Sequence, residues 1–117
     1  MSLLTLFRER TGEPLINRPF FAETLEGDPQ TRTELAWVGA DGVLVSGVWS
    51  CTEGLFRMDY PVWEFCHFLE GECVITPEGG EPKTLKAGDA FVCDRGLKGT
   101  WRVVKPVRKH FVIRKFA

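Results

Sequence analysis

The sequence predicts an all-β domain, a barrel or a sandwich of short strands. Two observations carry that expectation. From Thr33 onward, apolar segments of strand length are divided by Gly, Pro and Asp turn signals at near-regular spacing. No segment after residue 33 holds a helical period for three turns.

The elements follow in order. Residues 1–32 show no clean period, and Pro14, Pro19 and Pro29 with Gly12 and Gly27 predict an extended N-terminal arm with one short helical turn near its start. Glu34–Val38 is the first strand; Asp41-Gly42 suits a tight hairpin turn into Val43–Cys51. Leu55–Tyr60 follows Glu53-Gly54, and Pro61 interrupts before Trp63–Leu69. Gly71 turns the chain into Glu72–Thr76, and Pro77-Glu78-Gly79-Gly80 is a hairpin turn into Lys83–Lys86. Ala90–Cys93 lies between Gly88-Asp89 and Arg95-Gly96; Thr100–Lys105 and Val107–Phe116, separated by Pro106, complete the strands. The expected division is an arm over 1–32 and a barrel over 33–117.

A chain of 117 residues is long enough for one ordinary core. Its formal net charge of −1 marks no general affinity for polyanions. No run approaches the ~20 apolar residues of a membrane helix, and the apolar cluster Leu3–Phe7, broken by Thr5 and ended by Arg8, is too short for a secretory signal. A cytoplasmic location is expected, without membrane partners. Cys51, Cys66, Cys73 and Cys93 form no C-x-x-C pair, so zinc is not expected, and the expected cytoplasmic location argues against disulfides. All but Cys51 lie in apolar strand patterns.

Charge is uneven along the chain: from Arg95 onward there are basic residues and no Asp or Glu. Basic C-terminal strands paired against earlier acidic ones explain this better than an anion-attracting surface. No recognition helix or aromatic stacking motif points to nucleic acid.

The segments GVWSCTEGLFR (47–57), EFCHFLEGE (64–72), AGDAF (87–91), GLKGTW (96–101) and PVRKHFVI (106–113) together resemble the small stand-alone cupins related to the C-terminal cupin domain of (S)-ureidoglycine aminohydrolase. The resemblance implies a double-stranded β-helical (jelly-roll) barrel, commonly a homodimer. A strand-edge dimer involving the apolar arm residues Leu15, Ile16, Phe20 and Phe21 is expected.

The resemblance also implies where a metal would sit. In the first cupin motif, Glu64 and Gly71 keep their places, but the two histidine positions hold Met58 and Tyr60, or Arg57 and Asp59 at the longer spacing. In the second, Gly88 and Gly96 match, Asp94 takes the proline place, and Gly99 stands at the last ligand. A thioether, a neutral phenol and a glycine do not replace carboxylate or imidazole around a hard divalent ion. No metal or other cofactor is therefore expected, and His110 is not required as a ligand.

By the same resemblance Glu64 and Cys66 face the cavity, and strand parity turns His67 away as a packed side chain. The expected cavity lining is Arg57, Tyr60, Glu64, Cys66 and Trp101. Glu64 is either a desolvated acid–base group or a strut held by a neighbouring Arg or Tyr. A paired-carboxylate site of Asp59 with Glu64 is open, because Pro61 breaks the parity between them. Two functions stand beside each other. One is a metal-free binding module for a small polar metabolite, accessory to nitrogen or amino-acid metabolism. The other is an enzyme related to ureidoglycine hydrolysis, using Glu64 with Tyr60 or Arg57.

Overall fold

A computed structural model describes residues 3–18 and 20–116; Pro19, one of the prolines behind the expected arm, lies outside the described residues. Among them are a 3-10 turn, Phe7–Glu9, and nine strands. In chain order these are β1 (Leu15–Ile16), β2 (Ala22–Glu26), β3 (Thr31–Val38), β4 (Leu44–Cys51), β5 (Gly54–Asp59), β6 (Trp63–Pro77), β7 (Lys83–Lys86), β8 (Ala90–Cys93) and β9 (Lys98–Arg114). None of the helices is long and apolar enough to cross a membrane.

β6 and β9 organise the rest. Each was expected as two strands and is one long strand that passes from one layer of the barrel into the other. The first half of β9 pairs with β5 through Gly54↔Val103 to Asp59↔Lys98. Its second half pairs with β4, from Cys51↔Val107 to Leu44↔Arg114. β6 follows β9 along its whole length, with register shifts between Phe68 and Cys73. One layer therefore reads β1-β3-β4-β9-β6-β8, and the other β2-β5-β9-β6-β7.

The change of layer depends on Gly71, whose φ is 90°. A Cβ there would overlap the carbonyl of Pro106 and crowd Val107 on β9. Pro106 offers no amide hydrogen to a ladder, so it sits where the register already breaks. The turn signals mark hairpins, with Gly42 at φ 75° after β3 and Gly79 at φ 75° after β6.

The N-terminal segment enters the sheet rather than lying over it. β1 pairs with β3 at Leu15↔Thr33, β2 pairs with β5 at Ala22↔Met58, and β3 already begins at Thr31. Arg10 Nε lies 3.1 Å from Glu34 Oε2 and anchors the first turn. Asn17, at φ 50°, accepts from the Thr31 amide at 2.8 Å and donates to Gln30 Oε1 at 2.6 Å.

The core fills the space between the layers: Phe56, Met58, Tyr60, Cys66, Phe68, Cys73, Trp101, Val103 and Val107 are all buried. All four cysteines are free and buried, Cys51 included. Burial pushes the Cys51 and Cys73 thiols up to about 12, so they act as small hydrophobes. Several C-terminal basic residues meet earlier acids, Arg102 with Glu26 at 3.0 Å and Arg108 with Glu70 at 3.9 Å.

Gly71→Ala is expected to lower stability by more than about 3 kcal/mol, since left-handed strain adds to a backbone overlap. Gly79→Ala, where a Cβ meets nothing within 4 Å, should cost only about 1 kcal/mol. Thermal denaturation of both variants checks this. Equal losses would show that the crossing yields freely.

Candidate functional site

Alternation along β6 and β9 brings the site together. On β6 the inward positions are Glu64, Cys66 and Phe68; on β9 they are Trp101, Val103, Val107, Lys109 and Phe111, all buried. Apolar side chains fill most of these positions. Glu64 and Lys109 are the charged exceptions.

Lys109 is 4% exposed and Glu64 4%. Lys109 Nζ donates to Glu64 Oε2 at 2.9 Å and to Cys66 Sγ at 3.4 Å. The ammonium also lies 4.6 Å from the Trp49 ring centroid and 4.9 Å from that of Trp101, a cation–π arrangement on two faces. The other carboxylate oxygen, Oε1, accepts from the Tyr60 hydroxyl at 2.9 Å. Tyr60 is held in place by its backbone: its amide donates to Leu97 O at 2.9 Å, and its carbonyl accepts from Gly96 at 2.8 Å.

These partners set the protonation states. Burial by itself lowers the Lys109 pKa; the charge and hydrogen bond of the Glu64 carboxylate reverse this and hold it above the ordinary lysine value. Lys109 is therefore a fixed cation and not a free amine. Burial, then the charge of Glu64, pushes the Tyr60 phenol well up, so Tyr60 remains a donor. Burial also pushes the Cys66 thiol up, reinforced by its hydrogen bond with Cys93.

A cavity of about 110 Å³ opens beside this cluster. Glu64, Lys109 and Trp101 form part of its wall, with Trp49, Met58, Phe111, Ile113 and Thr33. Arg18, Phe20 and Phe21 from the segment before β2 complete it. Phe20 meets Trp49 edge-on at 6.0 Å, and Phe21 packs 4.8 Å from Tyr60. Trp101 is 1% exposed, and its indole N–H has no acceptor among the described residues. An engineered apolar cavity of ~150 Å³ admits benzene, so this one suits a molecule of that size or smaller.

Of the residues expected at the cavity, Glu64 and Trp101 stand on its wall. Tyr60 is buried behind Glu64, and Cys66 behind Lys109. Arg57 corrects the expectation: it alternates with inward Phe56 and Met58, is exposed, and pairs with Glu23 at 3.4 Å on the outer surface. Asp59 shares that outer face, so it makes no carboxylate pair with buried Glu64. His67 lies across the ladder from His110, with ring centroids 6.2 Å apart, away from Glu64.

Lys109 and the arm residues were missed for different reasons. Lys109 left a signal: a cation in step with Val107, Phe111 and Ile113 occupies an inward apolar slot. Arg18, Phe20 and Phe21 left none, because their position depends on the pairing of β2 with β5.

The residues present do not fit a divalent metal. Glu64 already binds an ammonium, which would repel a second cation at the same carboxylate. Met58 offers a thioether and Tyr60 a protonated phenol. At Gly99 a Cβ would overlap the Thr76 carbonyl, so this backbone has no room for a ligand side chain. Among the described residues no group of three or more His, Cys, Asp or Glu is arranged to hold a metal.

Residues 38–111 match the EutQ-like cupin domain. A DUF861 family protein of Thermotoga maritima is 34% identical to the chain, over 55% of it and 73% of that protein, with a TM-score of 0.53. The Clostridium difficile EutQ protein is 17% identical over 74% of this chain and 69% of its own, with a TM-score of 0.64. Ectoine synthase from P. lautus is 20% identical over 72% and 63%, with a TM-score of 0.63. The last two likenesses show the fold. Among proteins with curated functions, none matches the sequence.

Removing either partner of the ion pair leaves an uncompensated buried charge. Lys109→Met and Glu64→Gln should therefore each lower stability, the first by about 3–5 kcal/mol. The double variant should regain most of that loss, because both charges leave together. Chemical denaturation of the cycle measures it; strictly additive losses would mean the pair is not coupled.

Proposed function

We propose, for a chain that belongs to the EutQ-like cupin family, that the barrel is a metal-free binding module holding a small metabolite in the cavity beside Lys109. One observation carries this reading: a buried ion pair with one side turned to a largely apolar cavity. Burying two charges costs several kcal/mol per ion, and apolar residues of similar volume often do as well or better for stability. The charge pair is thus not explained by what it does for the core, and it gives the cavity one polar side.

Family membership argues for the barrel and leaves the activity open, since one fold hosts many chemistries. The likeness of 47–113 to the ureidoglycine aminohydrolase cupin domain supports a role accessory to nitrogen or amino-acid metabolism. The four free buried cysteines favour a reducing, cytoplasmic setting.

An enzymatic reading has one observation in its favour, the hydrogen bond of Tyr60 to Glu64 at 2.9 Å. With Arg57 turned outward, Tyr60 is the partner that reading retains. Against it, both Glu64 oxygens are already engaged, and a general base must first give up a donor.

We further propose a homodimer built on the outer face of the larger layer. Cross-strand register lines up Trp37, Ser46, Val112, Phe65 and Val92 in a single row over five strands. Trp37 is 45% and Val92 50% exposed at the two ends of that row. The arm contributes less than the sequence implied, because Phe20 and Phe21 pack against the chain's own cavity.

Fragments of benzene size or smaller should shift the indole N–H resonances of Trp49 and Trp101, with or without EDTA. Ile113→Phe, which fills the cavity, should abolish those shifts. Shifts that need added metal, or survive Ile113→Phe, would overturn the binding reading. Ammonia release from (S)-ureidoglycine that is lost in Tyr60→Phe would favour the enzyme instead. Light scattering at micromolar concentration should give twice the chain mass, reduced to the chain mass in Val92→Asp; a wild-type monomer sinks the dimer.

A further inference from the structure

The cavity wall carries one more cation than the ion pair needs. Arg18, at the mouth, is exposed and makes no hydrogen bond or ion pair among the described residues. Asp28 lines the adjoining groove and forms no ion pair with it. Glu64, the acid on the cavity wall, is already bonded to Tyr60 and Lys109. With Lys109 and Glu64 cancelling, Arg18 leaves the site with an excess positive charge.

The slot an ammonium ligand would use is also filled. Aromatic walls beside a carboxylate ordinarily attract a cationic ligand. Here the protein's own Lys109 lies over both indoles and on Glu64, so a second ammonium would be repelled. The net charge of the wall therefore selects an anionic ligand.

Position then divides the ligand in two. The interior wall is largely apolar, where a lone carboxylate would pay for desolvation. The mouth has a guanidinium whose planar fork fits a carboxylate with two parallel hydrogen bonds. We propose that the cavity takes a small monocarboxylic acid with a compact apolar body. The body lies among Phe20, Trp49 and Phe111, and the carboxylate meets Arg18 at the mouth. Arg18 is thereby the residue that sets specificity. This rests on the binding reading above.

The test uses three near-isosteres that differ in charge, isobutyrate, isobutyramide and isobutylamine, titrated into the full chain and followed by the Trp49 and Trp101 indole resonances. Isobutyrate should bind at least about tenfold more tightly than the amide, the scale of a charge-assisted hydrogen bond. The amine should not bind. Arg18→Gln, an exposed change that leaves the ion pair intact, should bring the acid and the amide to the same affinity. The proposal is overturned if the amide or amine binds as tightly as the acid, or if the acid's advantage survives Arg18→Gln. If none of the three binds while other small fragments do, the carboxylate class is wrong and the cavity reading stands. If no fragment binds at all, both fall.

Discussion

The close crossing of β6 over β9 at Gly71 and Pro106 is the constraint on which the barrel depends. Two strands can serve both layers only if each bends sharply at the same place, and bending at close approach leaves no room for a Cβ. Once that crossing exists, the remaining strands have defined edges to join. β4 and β8 extend one layer, β5 and β7 the other, and β2 adds to β5. The crossing also sets the phase of both strands, so that Glu64, Lys109 and Trp101 all point into the same interior.

That phase brings a cation to the glutamate that the cupin motif would offer to a metal. An ammonium carried on a strand satisfies one carboxylate oxygen without needing a shell of ligands. Met58, Tyr60 and Gly99 are then free of any ligand role and serve the packing instead. Tyr60 secures the second oxygen of Glu64, and Gly99 allows the close pairing of β9 with β6. The ammonium on Glu64 and the want of motif ligands at Met58, Tyr60 and Gly99 are thus two aspects of one arrangement.

The strands between Thr33 and Cys93 were legible because turn chemistry is local: Asp41-Gly42 and Pro77–Gly80 state their hairpins within a few residues. The continuity of β6 and β9 was not, since Gly71 and Pro106 read as breaks until each is seen to accommodate the other. Glu64 was legible through its spacing to Gly71. Arg57 faces outward because it alternates with inward Phe56 and Met58, a parity the cupin resemblance alone does not convey. Trp101, two residues from Gly99 and so on the same face of its strand, was legible as a cavity residue, but its contacts with Trp49 and Lys109 had no sequence signature.

The sequence by itself determined the all-β class, the order of the hairpins, the cupin resemblance and the loss of the usual ligands. All of these follow from residue identities and short spacings. Only the tertiary structure decided which cation meets Glu64, because Glu64 and Lys109 lie on different strands and their distance depends on register. It alone decided that Arg18, Phe20 and Phe21 line the cavity, because that follows from the docking of β2 on β5. Side-chain chemistry is written locally; which groups share a low-dielectric pocket is a property of the packed barrel.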